Sequence, residues 1–198
     1  MSKTITYYCA LISPFTYLGQ PRVMELAKQP GVNIVYKPID ILKVFGALGT
    51  VPPVKRHPSL KAYRGAELKR WSKRFGMDLT MMPKHFPTPT DLAGAMVIAA
   101  RDQGADVGPL VMGLLKGVWV DEADLKDADT LAAIANAAGL NGTALVAQAH
   151  PPEAQALFNA STEEAIEAGV FGSPTFIVDG EMFWGQDRIE LVAEKCGT

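Results

Sequence analysis

Ser13 stands where an apolar run ends and a helix begins, in Ser13-Pro14-Phe15-Thr16. Serine is a favoured N-cap, and proline suits the first helical position because its missing N–H would have gone unpaired there. The serine oxygen can accept from first-turn amides while its own O–H stays free to donate. A donor at the positive end of a helix is a seat for an anion, such as a thiolate held for reaction. The same dipeptide also serves as a plain helix cap, so the chemical reading depends on what the rest of the chain supplies.

Two later segments bear on it. Ser173-Pro174 opens the β-branched and aromatic run Thr175-Phe176-Ile177-Val178. A proline there is a candidate for a cis peptide bond, which would leave the N–H and C=O of Ser173 free to pair with an extended peptide backbone. An ordinary edge-strand proline is the alternative. Next, Phe183-Trp184-Gly185-Gln186-Asp187-Arg188 reads as strand, glycine and helix start. Amides at a helix start bind carboxylates and Asp187 can take an ammonium group, or both residues simply cap the helix.

The remaining reactive side chains point to less. His57, His85 and His150 lie in loop-like segments without metal-ligand spacing, so no metal site is expected. Lys61, Arg64, Lys69, Arg70, Lys73 and Arg74 form a basic helix that is either a solvated face or an attractant for substrate carboxylates. Trp184 and Tyr63 serve equally as walls for a ligand or as core. Cys9 and Cys196 stand at opposite ends of the chain with no paired spacing. That pattern fits a reducing, cytoplasmic setting and gives no disulfide framework.

The elements that must position these residues follow from hydrophobic period. At 198 residues, one domain with an insertion is expected. A net charge of −2 gives no reason to expect nucleic acid or a membrane surface, and no apolar run approaches the roughly 18–20 residues that span a bilayer. The N-terminal segment lacks a secretory pattern. Residues 4–12 and 33–39 read as strands flanking a helix that Pro30-Gly31 stops, paired in parallel through a right-handed crossover. Pro38 places the second strand near the sheet edge or marks the strand's end. Residues 42–58, punctuated by Gly46, Gly49, Pro52, Pro53 and Pro58, read as an irregular loop. From about residue 60 to 168 the patterns are helical: 60–75, 92–104, 109–120, a short piece at 125–127, 129–138, 143–150 and 152–168. Then Asp179-Gly180 turns a hairpin between 175–178 and 181–184, and a last helix runs from 186 to 195.

The sum is an α/β, thioredoxin-like order, β-α-β … β-β-α, with residues 1–58 and 169–198 forming the split sheet domain and 59–168 an all-helical insertion. In that fold Ser13 and Thr16 occupy the positions of a Cys-x-x-Cys motif. Dithiol exchange, which needs thiolates, is therefore excluded at this spot.

Ser13-Pro14-Phe15-Thr16-Tyr17-Leu18-Gly19, Val170-Phe171-Gly172-Ser173-Pro174-Thr175-Phe176 and Gly185-Gln186-Asp187-Arg188 resemble the 2-hydroxychromene-2-carboxylate isomerase family. That family is related to kappa-class glutathione transferases within the DsbA-like thioredoxin group. The likeness extends to Gly49-Thr50-Val51-Pro52-Pro53, to residues 66–76 and to Val118-Trp119-Val120. It implies that Ser13 stabilises the thiolate of a glutathione cofactor, that Ser173-Pro174 holds the tripeptide backbone, and that Gln186 and Asp187 hold its γ-glutamyl end. The implied reaction converts 2-hydroxychromene-2-carboxylate to trans-o-hydroxybenzylidenepyruvate in naphthalene-type aromatic catabolism. A homodimer acting on a small aromatic substrate is the matching expectation. Two positions depart from the family pattern. Thr50 stands where relatives usually carry asparagine, and Lys61 is the counterpart of a glutathione-binding lysine although an ungapped match falls on Ser59. A kappa-like transferase and a non-catalytic thioredoxin-fold binding module are the competing readings.

Overall fold

The computed structural model describes residues 2–198. Its sheet has the order β2-β1-β3-β4, from β1 (Lys3–Cys9), β2 (Val32–Pro38), β3 (Thr175–Val178) and β4 (Glu181–Trp184). β1 lies parallel to β2 and antiparallel to β3, and β3 pairs antiparallel with β4. The sheet therefore closes only when the two ends of the chain meet, and β2, ending at Pro38, is an edge strand.

The first strand stops at Cys9 rather than running to residue 12. The Ala10 N–H is taken by the Ser173 hydroxyl at 2.8 Å, and Ser13 N turns back to Ala10 O at 3.0 Å. This tight turn delivers Ser13 as the N-cap of α1 (Pro14–Ala27). α1 is anchored beneath by a buried polar chain. Tyr7 Oη donates to Gln20 Oε1 at 3.1 Å, and Gln20 Nε2 donates to Tyr36 Oη at 3.3 Å and Gly108 O at 3.2 Å.

Residues 42–58 are not the featureless loop that their glycines and prolines suggest. α2 (Ile41–Ala47) opens there, capped by Asp40, whose carboxylate accepts from Leu42 N at 2.9 Å and Lys43 N at 3.2 Å. Ile41, Val44 and Phe45, at i, i+3 and i+4, bury one face against Ala165 and Val170. A 3-10 turn follows at Pro53–Lys55.

The inserted helices are α3 (Pro58–Phe75), α4 (Asp91–Asp102), α5 (Gly108–Trp119), α6 (Ala128–Ala137), α7 (Gly142–Ala149) and α8 (Pro152–Glu167). The short helix expected at 125–127 is absent. Asp124 accepts from Lys126 N at 3.0 Å, while Asp127 already caps α6 through Thr130 N at 2.8 Å, so two caps three residues apart leave only a turn. One apolar cluster runs from Ile5, Tyr7 and Phe176 of the sheet into Leu110, Leu114 and Leu131 of the insertion. Sheet and insertion thus share a core. The chain ends with a 3-10 turn (Gln186–Arg188) leading into α9 (Ile189–Cys196), where a single helix from 186 was expected.

Candidate active site

The α1 cap is the centre of the site. Ser13 Oγ accepts from Thr16 N at 3.2 Å and donates to Ser173 O, also at 3.2 Å. Pro14 has no N–H, and Phe15 N has no hydrogen-bond partner among the described residues. No acidic side chain occupies the first turn of α1, so nothing there neutralises the positive end of its dipole. The half-buried Ser13 O–H is thus one rotation away from serving an anion instead of a carbonyl.

The Ser173–Pro174 bond is cis. The Ser173 side chain is spent on building the site: its Oγ accepts from Ala10 N and shares a hydrogen bond of 2.9 Å with Thr16 Oγ1. Thr175 Oγ1 pins the same loop by donating to Gly172 O at 2.9 Å. The Ser173 N–H remains unpaired among the described residues, which leaves the backbone rather than the hydroxyl for a ligand. A second cis bond, Phe86–Pro87, lies between α3 and α4.

Beside Pro174 the β3–β4 pairing sets Trp184 opposite Thr175. Trp184 is 52% exposed and meets Phe171 edge-on at 4.9 Å, forming an aromatic ledge next to the cis proline. Gly172 lies under the indole, where a Cβ would sit 2.2 Å from Trp184 Nε1.

Gly185 joins this ledge to the last segment. Its N–H donates to Pro174 O at 2.9 Å, and its φ of +112° suits glycine. Gln186 is 2% exposed, and both its side-chain Oε1 and its carbonyl accept from Arg22 Nη2. Because Arg22 can only donate, it fixes the amide with the oxygen inward and the NH2 turned away, and that NH2 makes no hydrogen bond within the described residues. Arg22 also pairs with Glu190 at 2.9 Å and lies 4.4 Å from the Phe75 ring centroid. The half-exposed Asp187 carboxylate accepts from Arg188 at 2.8 Å.

Ser13, Ser173, Pro174, Gln186 and Asp187 therefore form one continuous patch. Thr50 lies between α2 and the 3-10 turn, and Lys61 lies near the start of α3. Thr50 N donates to Phe45 O at 3.0 Å and Lys61 Nζ to Val54 O at 3.4 Å, and neither hydrogen-bonds to the patch. Sequence reasoning missed Arg22, whose only signal is Gly19 one turn earlier on the same face. A Cβ at Gly19 would lie 2.9 Å from the Gln186 Cβ. It also missed the Thr16–Ser173 clip.

Burial pushes the Cys9 thiol up to about 12 and raises that of Cys196, so neither presents a ready thiolate. Among the described residues no His, Cys, Asp and Glu groups are placed to hold a metal ion, and no helix is long and apolar enough to cross a membrane.

A DsbA-like thioredoxin domain matches residues 4–197. The chain belongs to the DsbA-like thioredoxin family, in the branch of the 2-hydroxychromene-2-carboxylate isomerases. It is 32% identical to the 2-hydroxychromene-2-carboxylate isomerase of Sphingobium xenophagum over 97% of both chains. To the enzyme of that name from Pseudomonas putida it is 30% identical, over 98% of this chain and 94% of the relative. A solved 2-hydroxychromene-2-carboxylate isomerase superposes with a TM-score of 0.83 at 25% identity, covering 98% of this chain and 94% of the other. A cytosolic disulfide reductase from Pseudomonas aeruginosa shares the fold at a TM-score of 0.65 and 14% identity, over 91% and 87%.

Proposed function

We propose that this chain is a glutathione-dependent isomerase that converts 2-hydroxychromene-2-carboxylate to its trans-o-hydroxybenzylidenepyruvate isomer in aromatic catabolism. The observation that carries this reading is Ser13. Its hydroxyl caps α1 and points across 3.2 Å to the carbonyl preceding a cis proline, beside N–H groups of Phe15 and Ser173 that are unpaired among the described residues.

The residues present suit a γ-glutamyl tripeptide. The Ser173 N–H would pair with its backbone, Ser13 O–H with its sulfur, Asp187 with its ammonium group and the free NH2 of Gln186 with its carboxylate. When bound, glutathione supplies a thiolate nucleophile that can add reversibly to a conjugated system and so release a double bond for rotation. The protein's part is to hold that charge and orient the ring. Ser13 donates to the sulfur, the unneutralised α1 dipole favours its anionic form, and Thr16 keeps Ser173 in place. The Trp184–Phe171 pair gives an aromatic substrate an apolar, aromatic surface to lie against. A cytoplasmic location and a homodimer accompany this reading, the latter checked by sedimentation.

The test is absorbance of 2-hydroxychromene-2-carboxylate with the protein, with and without glutathione. Conversion only with glutathione, and recovery of the tripeptide intact, is the expected result. Loss of glutathione into a stable adduct would mean a kappa-like transferase instead. Binding without any turnover would mean a non-catalytic module.

A further inference from the structure

α3 carries six basic residues against one acid, Glu67. Three of those cations are occupied and two, Lys69 and Lys73, are exposed: Arg70 pairs with Glu67 and lies over Tyr63, Arg74 lies over Trp71, and Lys61 reaches Val54 O. Arg64 differs. It is half-buried, yet makes no hydrogen bond and no ion pair among the described residues. Its guanidinium lies 5.6 Å from the ring centroid of Phe15, two residues beyond Ser13. The charge that acts on it is another cation, Arg56, also half-buried, whose Nε donates to Val51 O at 2.8 Å. Burial and this like charge together lower the Arg64 pKa from its ordinary value.

Withdrawing a guanidinium from water without an acceptor is unfavourable. Among the described residues no hydrogen bond or ion pair compensates it, and only the Phe15 ring faces it, whereas Arg22, the comparable cation on α1, has Gln186 and Glu190. A planar fork of donors matches a carboxylate with two parallel hydrogen bonds. We propose that Arg64, seconded by Arg56, is the carboxylate-binding corner of the site, receiving the anionic group of an aromatic substrate whose ring lies toward Phe15 and Ser13. The proposal rests on the reading of Ser13 as the site's centre and adds to it the residue that selects anionic substrates. Glutathione has carboxylates of its own, so the test must separate the two sources.

The experiment is calorimetric binding of 1-naphthoate and of its uncharged counterpart 1-naphthamide, with S-methylglutathione titrated separately. The wild-type chain should bind the naphthoate at least about tenfold more tightly, the low end for a charge-assisted hydrogen bond. Arg64→Met should abolish that preference, and Arg64→Lys should restore part of it. S-methylglutathione affinity should be unchanged in both. Because Arg64 makes no hydrogen bond or ion pair among the described residues, and Met keeps an apolar stem beside Phe15, Arg64→Met should melt close to wild type, so loss of binding will not reflect unfolding. Ser13→Ala should keep the naphthoate preference, and that preference is read without turnover, so a failed isomerase assay leaves this result independent. If Arg64→Met instead weakens S-methylglutathione and spares the naphthoate preference, the carboxylate is that of glutathione and the substrate assignment is overturned. An unchanged preference, or none in the wild type, overturns the proposal outright.

Discussion

Replacing Ser13 by alanine removes a cap and a donor in one step, and the two losses can be separated by size. Ser13 makes two neutral hydrogen bonds of 3.2 Å, one accepted from Thr16 N and one donated to Ser173 O. As a cap, the serine is worth roughly 0.5–2 kcal/mol. For a chain of this length that lowers the melting temperature by about 1–8 °C. Redirected from a carbonyl to a thiolate, the O–H exchanges a neutral bond of about 0.5–1.5 kcal/mol for a charge-assisted one of about 1.5–3 kcal/mol. A difference of about 1.4 kcal/mol lowers the bound thiol's pKa by about one unit. From an ordinary value near 8.5, that raises the thiolate fraction at pH 7 from about 3% to about 24%. Ser13→Ala should therefore raise the pKa of bound glutathione by about one unit, followed by thiolate absorbance during pH titration. It should slow turnover at pH 7 about eightfold from thiolate population alone, and the deficit should shrink toward pH 9 as the thiol ionises unaided. An unchanged bound-thiol pKa in a variant that melts within the stated range would refute the role given to Ser13.

Three other perturbations probe the scaffold. A Cβ at Gly94 would lie 2.3 Å from Phe158 Cδ2, and that ring is 1% exposed with nowhere to move. Gly94→Ala should cost about 1–3 kcal/mol in urea unfolding, and Phe158→Leu in the same background should recover part of it. Arg22→Met leaves the two buried acceptors of Gln186 without a donor. It should cost about 1–3 kcal/mol and weaken S-methylglutathione binding measured by calorimetry, whereas unchanged affinity would detach Gln186 from the tripeptide site. Burial works to raise the Glu164 carboxyl, but the donated bonds of Lys37 at 2.6 Å and Tyr8 at 2.9 Å outweigh it, leaving the group below the ordinary glutamate value. A lowered acid stabilises the fold above its unfolded pKa of about 4.3, and that contribution is lost as pH falls through the folded value. Glu164→Gln should lower stability by less than about 1 kcal/mol at neutral pH, given the exposure of the pair, and flatten the decline below about pH 4 in urea midpoints.

Much of the fold was legible because it is locally encoded. The hairpin at Asp179-Gly180, with strands Thr175–Val178 and Glu181–Trp184, follows from a two-residue turn between alternating runs. The start of α1 follows from Ser-Pro, and the helices of the insertion from their apolar period. Where local signals conflicted, the reading failed. Glycines and prolines between residues 42 and 58 concealed α2, which is held by the Asp40 cap and by burial against Ala165 and Val170 of a distant segment. At 125–127 an apolar leucine suggested helix, although the flanking aspartates each close a turn.

For the site, sequence alone determined which residue types stand at the helix cap, at Ser173-Pro174 and at the Gly-Gln-Asp turn, because these are short local motifs, while the cis form of the Ser173–Pro174 bond was one of two readings until the fold selected it. Sequence also determined that dithiol exchange is excluded there, since Ser13 and Thr16 carry no sulfur. Only the tertiary structure decided what each group is free to do. The Ser173 hydroxyl is consumed by Ala10 and Thr16, the Gln186 oxygen by Arg22, and Arg64 is left half-buried without a hydrogen bond or ion pair among the described residues. Hydrogen-bond satisfaction and desolvation depend on neighbours more than a hundred residues away in the chain, and no local pattern records which donors and acceptors folding leaves unused.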